Sequence, residues 1–99
     1  QLNLLDGKPV PVAPNVVFEI VSQKNDLDET LEKMVLWMEN DVELGIVVDP
    51  YSEKLYIFEK NVEHYKEQSI LEPFTHYLLP DYVGDYSSLV QKIKKYKKK

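Results

Sequence analysis

The chain contains no cysteine, three glycines, two histidines and no apolar run near the roughly 18 residues of a membrane span. Each shortage closes off a class of chemistry. Without cysteine there is no disulfide framework and no thiolate metal site, which is compatible with a reducing, cytoplasmic setting. His64 and His76 alone argue against a zinc site. The few glycines form no phosphate-cradling loop, and neither GxSxG nor HExxH occurs. Gln1-Leu2-Asn3 opens the chain without an initiator Met and without the basic-then-apolar segment of a signal peptide, so the sequence reads as an N-terminally truncated domain.

The residues that are there suit one soluble α/β domain. At 99 residues, 43% hydrophobic and 29% charged, the chain can build a single core. Charge is segregated. All 17 acidic residues precede position 92, where they face six lysines, a net −11; six further lysines crowd positions 92–99. This basic tail reads as a solvated helix end that complements the helix dipole, and it also offers a contact to nucleic-acid phosphate.

The most informative stretch is Val16-Val17-Phe18-Glu19-Ile20-Val21-Ser22. As a strand it places Val17, Glu19 and Val21 on one face and Val16, Phe18 and Ile20 on the other, with both faces expected to be buried. A buried carboxylate needs a cation, a basic side chain or hydrogen-bond donors. The search for that partner starts with the helix that follows.

Asp26 is the expected N-cap, with Glu29 at capping-box spacing, and Leu27, Leu31, Met34, Val35 and Met38 form the core stripe of a helix ending near Asn40-Asp41. Lys33 lies on a flank with Asp26, Glu29 and Trp37. Residue identity alone pairs it with Glu29 at i,i+4, worth about 0.3–0.5 kcal/mol. Strands follow over 44–49, stopped by Asp49-Pro50, then over 54–60 and 62–67. Residues 70–74 and 77–80 read as short extended pieces that their prolines keep at edges or in loops. A last helix over 86–96 buries Leu89, Val90, Ile93 and Tyr96.

The runs Ala13 to Ser22, Glu32-Lys33-Met34 with Trp37, Asn40 to Pro50, and Leu79-Pro80 resemble the Uma-two family of restriction endonucleases, within the PD-(D/E)xK nuclease superfamily. The likeness covers residues 13 to about 91, the C-terminal portion of a family domain. It implies a restriction-endonuclease-like mixed sheet flanked by helices, with DNA as substrate. It also implies a magnesium ion held by an Asp and by the Glu of ExK, and a lysine that steadies charge near the nucleophile. Glu19 matches that Glu. Val21 occupies the ExK lysine position, and Lys33 matches the lysine that this family takes from the following helix. Lys33 thus has a second expected partner, Glu19, within salt-bridge or single-water range.

The first metal-binding Asp has no clear counterpart. Asp6, in an Asp-Gly turn, is the acidic residue that precedes Glu19, and Asn15 stands where many relatives carry Asp. Two functions remain open: a magnesium-dependent DNA endonuclease, and a non-catalytic nucleic-acid-binding or assembly module in which Glu19 and Lys33 are only an ion pair. An open sheet edge further leads us to expect a homodimer.

Overall fold

The computed structural model describes residues 15–97, with side chains through residue 95. The extended approach expected before Asn15, including Asp6, and the core contact of Tyr96 lie outside the described residues.

Four strands form the main sheet in the order β1-β2-β3-β4: β1 Val16–Ile20, β2 Leu44–Asp49, β3 Lys54–Glu59 and β4 Lys66–Ser69. β1 runs parallel to β2, with Glu19 opposite Val47, while the β2, β3 and β4 pairings are antiparallel. A parallel pair needs a crossover, and α1 (Leu27–Glu39) provides it. A small hairpin, β5 Phe74–His76 and β6 Leu79–Gly84, and the helix α2 (Ser87–Lys97) complete the chain. The mixed sheet with helices is the expected α/β, restriction-endonuclease-like architecture.

Strand alternation sorts the core into two layers. Val17, Val21, Val47, Tyr56 and Phe58 face α1, where Leu27, Leu31, Met34 and Met38 cover them. Leu44, Ile46, Val48, Leu55 and Ile57 point the other way, onto Ile70, Phe74 and Val90. β2 is buried at every residue because both layers meet on it, which explains its unbroken apolar sequence.

Several expectations are corrected. β1 is covered on one face only: Phe18 and Ile20 are 40% and 56% exposed. The second layer lies over β2 and β3 and reaches β1 through Val16 and through Tyr82, whose ring meets Phe18 edge-on at 6.0 Å. Asp26 precedes α1 as expected, but its side chain makes no capping bond; its carbonyl accepts from the backbone N–H and the hydroxyl of Thr30. Val35 is exposed, outside the core stripe. β4 starts at Lys66 rather than Val62, because Asn61 turns in the left-handed region (φ 66°) and residues 62–65 form a loop that lays Tyr65 against Tyr56 and Phe58. Of the extended pieces expected over 70–74 and 77–80, Phe74 and Leu79-Pro80 lie in strands while the rest is turn or irregular; β5 and β6 pair with each other, with Pro80 inside β6 of a two-stranded sheet, where each strand is an edge.

Candidate active site

Glu19 points to the α1 side of β1, so the donors it meets are those that the crossover helix carries. α1 lies close against the sheet at Gly45, where a Cβ would collide with Met34 Sδ. Because Met34 is fully buried in that space, the residue before it, Lys33, emerges at the flank of the helix facing β1. One turn later Trp37 emerges on the same side, as the i,i+4 spacing requires.

Both reach Glu19. Lys33 Nζ stands 3.7 Å from Glu19 Oε1, and Trp37 Nε1 donates to Glu19 Oε2 at 2.9 Å. The expected alternative, a Glu29 pair for Lys33, is not among the ion pairs of the described residues. The Glu19 side chain is 21% exposed and that of Lys33 63%, so a mostly covered carboxylate faces an ammonium that stays in water. In that setting the attraction is worth about 1 kcal/mol or less. The pair is therefore a weak contributor to the fold.

A cavity of about 230 Å³ opens beside the pair, walled by Glu19, Asp26, Glu29 and Lys33 with the hydroxyl residues Ser22 and Thr30. Trp37 is not in its wall. A larger cavity of about 550 Å³ lies elsewhere, between the end of α1 and the β3–β4 loop, with Val35, Met38, Phe58 and Val62 in its lining. Its volume exceeds that of the Glu19 cavity, but its walls do not include the Glu19 set.

The fit of a divalent cation can be tested on these residues. Magnesium takes hard oxygen ligands, commonly one or two carboxylates with waters and substrate phosphate completing the shell. Glu19 supplies one such carboxylate at the wall of an accessible cavity. No group of three or more His, Asp or Glu that could hold a metal occurs among the described residues, so Glu19 could supply one carboxylate there but not a whole site. Asp6 lies outside the described residues.

Trp37 is the member that residue-level reading missed as a donor. Its signal was present, since it shares the Lys33 flank one turn on, but no local rule links an indole N–H to a strand 18 residues back.

A second glutamate has similar company. Glu59, at the end of β3, accepts from His76 Nε2 at 2.6 Å and pairs with Lys66 Nζ at 3.2 Å. The backbone N–H of Leu78 donates to His76 Nδ1 at 3.1 Å, which assigns the ring proton to Nε2 and makes it the donor to Glu59. The His76 hydrogen bond holds the Glu59 carboxyl below its ordinary range, with Lys66 adding to it and burial opposing.

The mixed α/β fold is consistent with a restriction-endonuclease-like protein. The Uma2 family model, described as "Putative restriction endonuclease", matches residues 2–90 of the 99-residue chain. The chain belongs to this family, whose description points to a nuclease-like function and implies DNA as the substrate class. No curated protein matches the chain. No helix among the described residues is long and apolar enough to cross a membrane.

Proposed function

We propose that the chain is a magnesium-dependent DNA endonuclease in which Glu19 is a metal ligand and Lys33 the charge-stabilising cation. The observation that carries this reading is the approach of Lys33 Nζ to Glu19 Oε1, 3.7 Å apart from two different elements, at the wall of an open cavity. Neither buried packing nor a strong ion pair requires that arrangement.

Magnesium at such a site would polarise the phosphate and lower the pKa of a bound water. Glu19 contributes the negative charge that holds a cation there. Lys33, free to swing on its exposed stem, is placed to stabilise negative charge that develops on the phosphate during attack. A second carboxylate must join Glu19, and Asp6 is our candidate from the chain itself. The domain reading, one endonuclease-like unit with the lysines of 92–99 as a phosphate-contacting tail, belongs to the same proposal. So does a homodimer, supported by the edge position of β1 among the described strands and its exposed Phe18 and Ile20.

Glu19→Gln in the full chain tests the assignment. Magnesium-dependent cleavage of DNA should be lost while the far-UV circular dichroism stays native, because the amide keeps the shape and removes the charge. Lys33→Ala should lower cleavage with a smaller effect on magnesium binding. Cleavage by Glu19→Gln at the wild-type rate overturns the site. Wild-type protein that binds DNA but cleaves none in magnesium replaces the reading with the non-catalytic binding module.

A further inference from the structure

We infer that Trp37 is a positioning residue for Glu19, fixing the carboxylate so that one oxygen remains for the cavity; this rests on the nuclease reading above. The two oxygens of Glu19 are held differently. Oε2 receives the indole N–H at 2.9 Å, within ordinary hydrogen-bond length. Oε1 has Lys33 Nζ at 3.7 Å, outside it. One contact is therefore directional and the other is loose.

The chemistry of the two donors sharpens the division of labour. An indole N–H donates and cannot accept, carries no charge and does not titrate, so at Oε2 it can orient the carboxylate without neutralising it. An ammonium in the same place would compete with a cation for the negative charge. Trp37 acts from outside the cavity, whose wall includes Glu19 and Lys33 but not the indole. Orientation by a partner behind the ligand is the usual way a carboxylate is readied for a metal, and loss of such a partner typically costs about 10- to 100-fold in affinity or activity.

A packing role alone would need only the ring. Trp37 is 41% exposed, which is poor use of an indole for burial, while its N–H is directed at Glu19. Trp37 is also the single tryptophan of the chain, so its emission reports on this contact without interference from another indole.

The test uses the full chain in two arms. In the first, cleavage of DNA in magnesium is compared for wild type and Trp37→Phe, which keeps an aromatic ring and removes the N–H. We expect kcat to fall about 10- to 100-fold with KM for DNA unchanged. In the second, the tryptophan emission of wild type and of Glu19→Gln is compared before and after magnesium is added, with far-UV circular dichroism confirming that both stay native. Magnesium alone should change the emission of wild type but not of Glu19→Gln. The second arm keeps the inference testable if Trp37→Phe does not fold.

Full cleavage by Trp37→Phe, with Glu19→Gln inactive, overturns the role of Trp37 and leaves the nuclease reading standing. Full cleavage by Glu19→Gln overturns both. A magnesium-induced change of emission that persists in Glu19→Gln shows that the indole does not report on this carboxylate and overturns the positioning role.

Discussion

Glu19 and Glu59 are alike in what composition records. Each lies on a strand, each is largely covered, at 21% and 17% exposure, and each meets a lysine and a ring N–H. Geometry separates them. At Glu59 the His76 bond is 2.6 Å and the lysine 3.2 Å away, the imidazole is itself buried at 8% exposure, and its far nitrogen is tied to the Leu78 backbone. That set clamps the β5–β6 hairpin to the end of β3. At Glu19 the lysine is loose and the carboxylate borders a polar cavity. The same residue types make a structural clasp when every valence is used at short range, and a candidate reaction site when one is left slack.

The largest contrast should come from neutralising the two glutamates in turn. Glu19→Gln should lower DNA cleavage by at least about 10²–10³-fold, the scale on which loss of one preorganised electrostatic group acts. Glu59→Gln should leave cleavage within about twofold, since nothing links its clasp to the transition state. Steady-state cleavage by both variants in magnesium checks the pair, and equal losses would erase the distinction.

Gly45→Ala should disturb one site and not the other. Its Cβ would meet the buried sulfur of Met34, and overpacking of this kind costs about 1–3 kcal/mol. Relief comes from a shift of the Met34 side chain or, where its burial blocks that, from movement of α1 off the sheet, which would carry Lys33 and Trp37 from Glu19. Urea unfolding should show the destabilisation, and cleavage should fall, while the His76 signals in NMR stay in place.

The Glu59 clasp should reveal itself in stability. Its carboxyl is held low by the His76 hydrogen bond first and by Lys66 after it, so the fold prefers the ionised form more than the unfolded chain does. The contribution is complete at neutral pH, above the unfolded pKa, and is lost as pH falls through the lowered folded value. Glu59→Gln should therefore cost about 1 kcal/mol at pH 7, with the gap to wild type closing below about pH 4. Urea titrations at several pH values would detect it.

Lys33→Ala should change stability least, by about 0.5 kcal/mol or less, as expected of an exposed ammonium. Coupled with reduced cleavage, this would mark Lys33 as kept for chemistry rather than for the fold.

What could be read in advance follows from where local and global signals coincide. β2 was legible to the residue and β3 to within one because unbroken or alternating apolar runs end at real breakers, Asp49-Pro50 above all. The Asp49 carboxylate there accepts from the Tyr51 N–H and the Ser52 hydroxyl and makes the turn. β4 was misplaced because its pairing residues, Lys66-Glu67-Gln68-Ser69, have no apolar alternation; their place is set by their register against β3. Glu19 stood out as a charge inside an apolar run. Lys33 did not, since its flank offers Glu29 as readily as Glu19, and only the approach of α1 at Gly45 decides between them. Two-sided burial of β1 was wrong for a related reason: a strand's own residues do not record how far the opposite layer extends.

The parallel seam between β1 and β2 also has a consequence in time. β2 and β3 can zip across a four-residue connection, residues 50–53, whereas β1 can join only after the intervening helix has folded back over the sheet. Closing long connections is slow and local ones fast. The antiparallel meander should thus assemble first and come apart last, with β1 docking late and leaving early. Amide hydrogen exchange would show this as weaker protection over Val17 to Val21 than over Ile46 to Val48. Assembly of the Glu19 set would then be the closing step of folding, and a chain that has lost β1 docking would be inactive while most of its sheet persists.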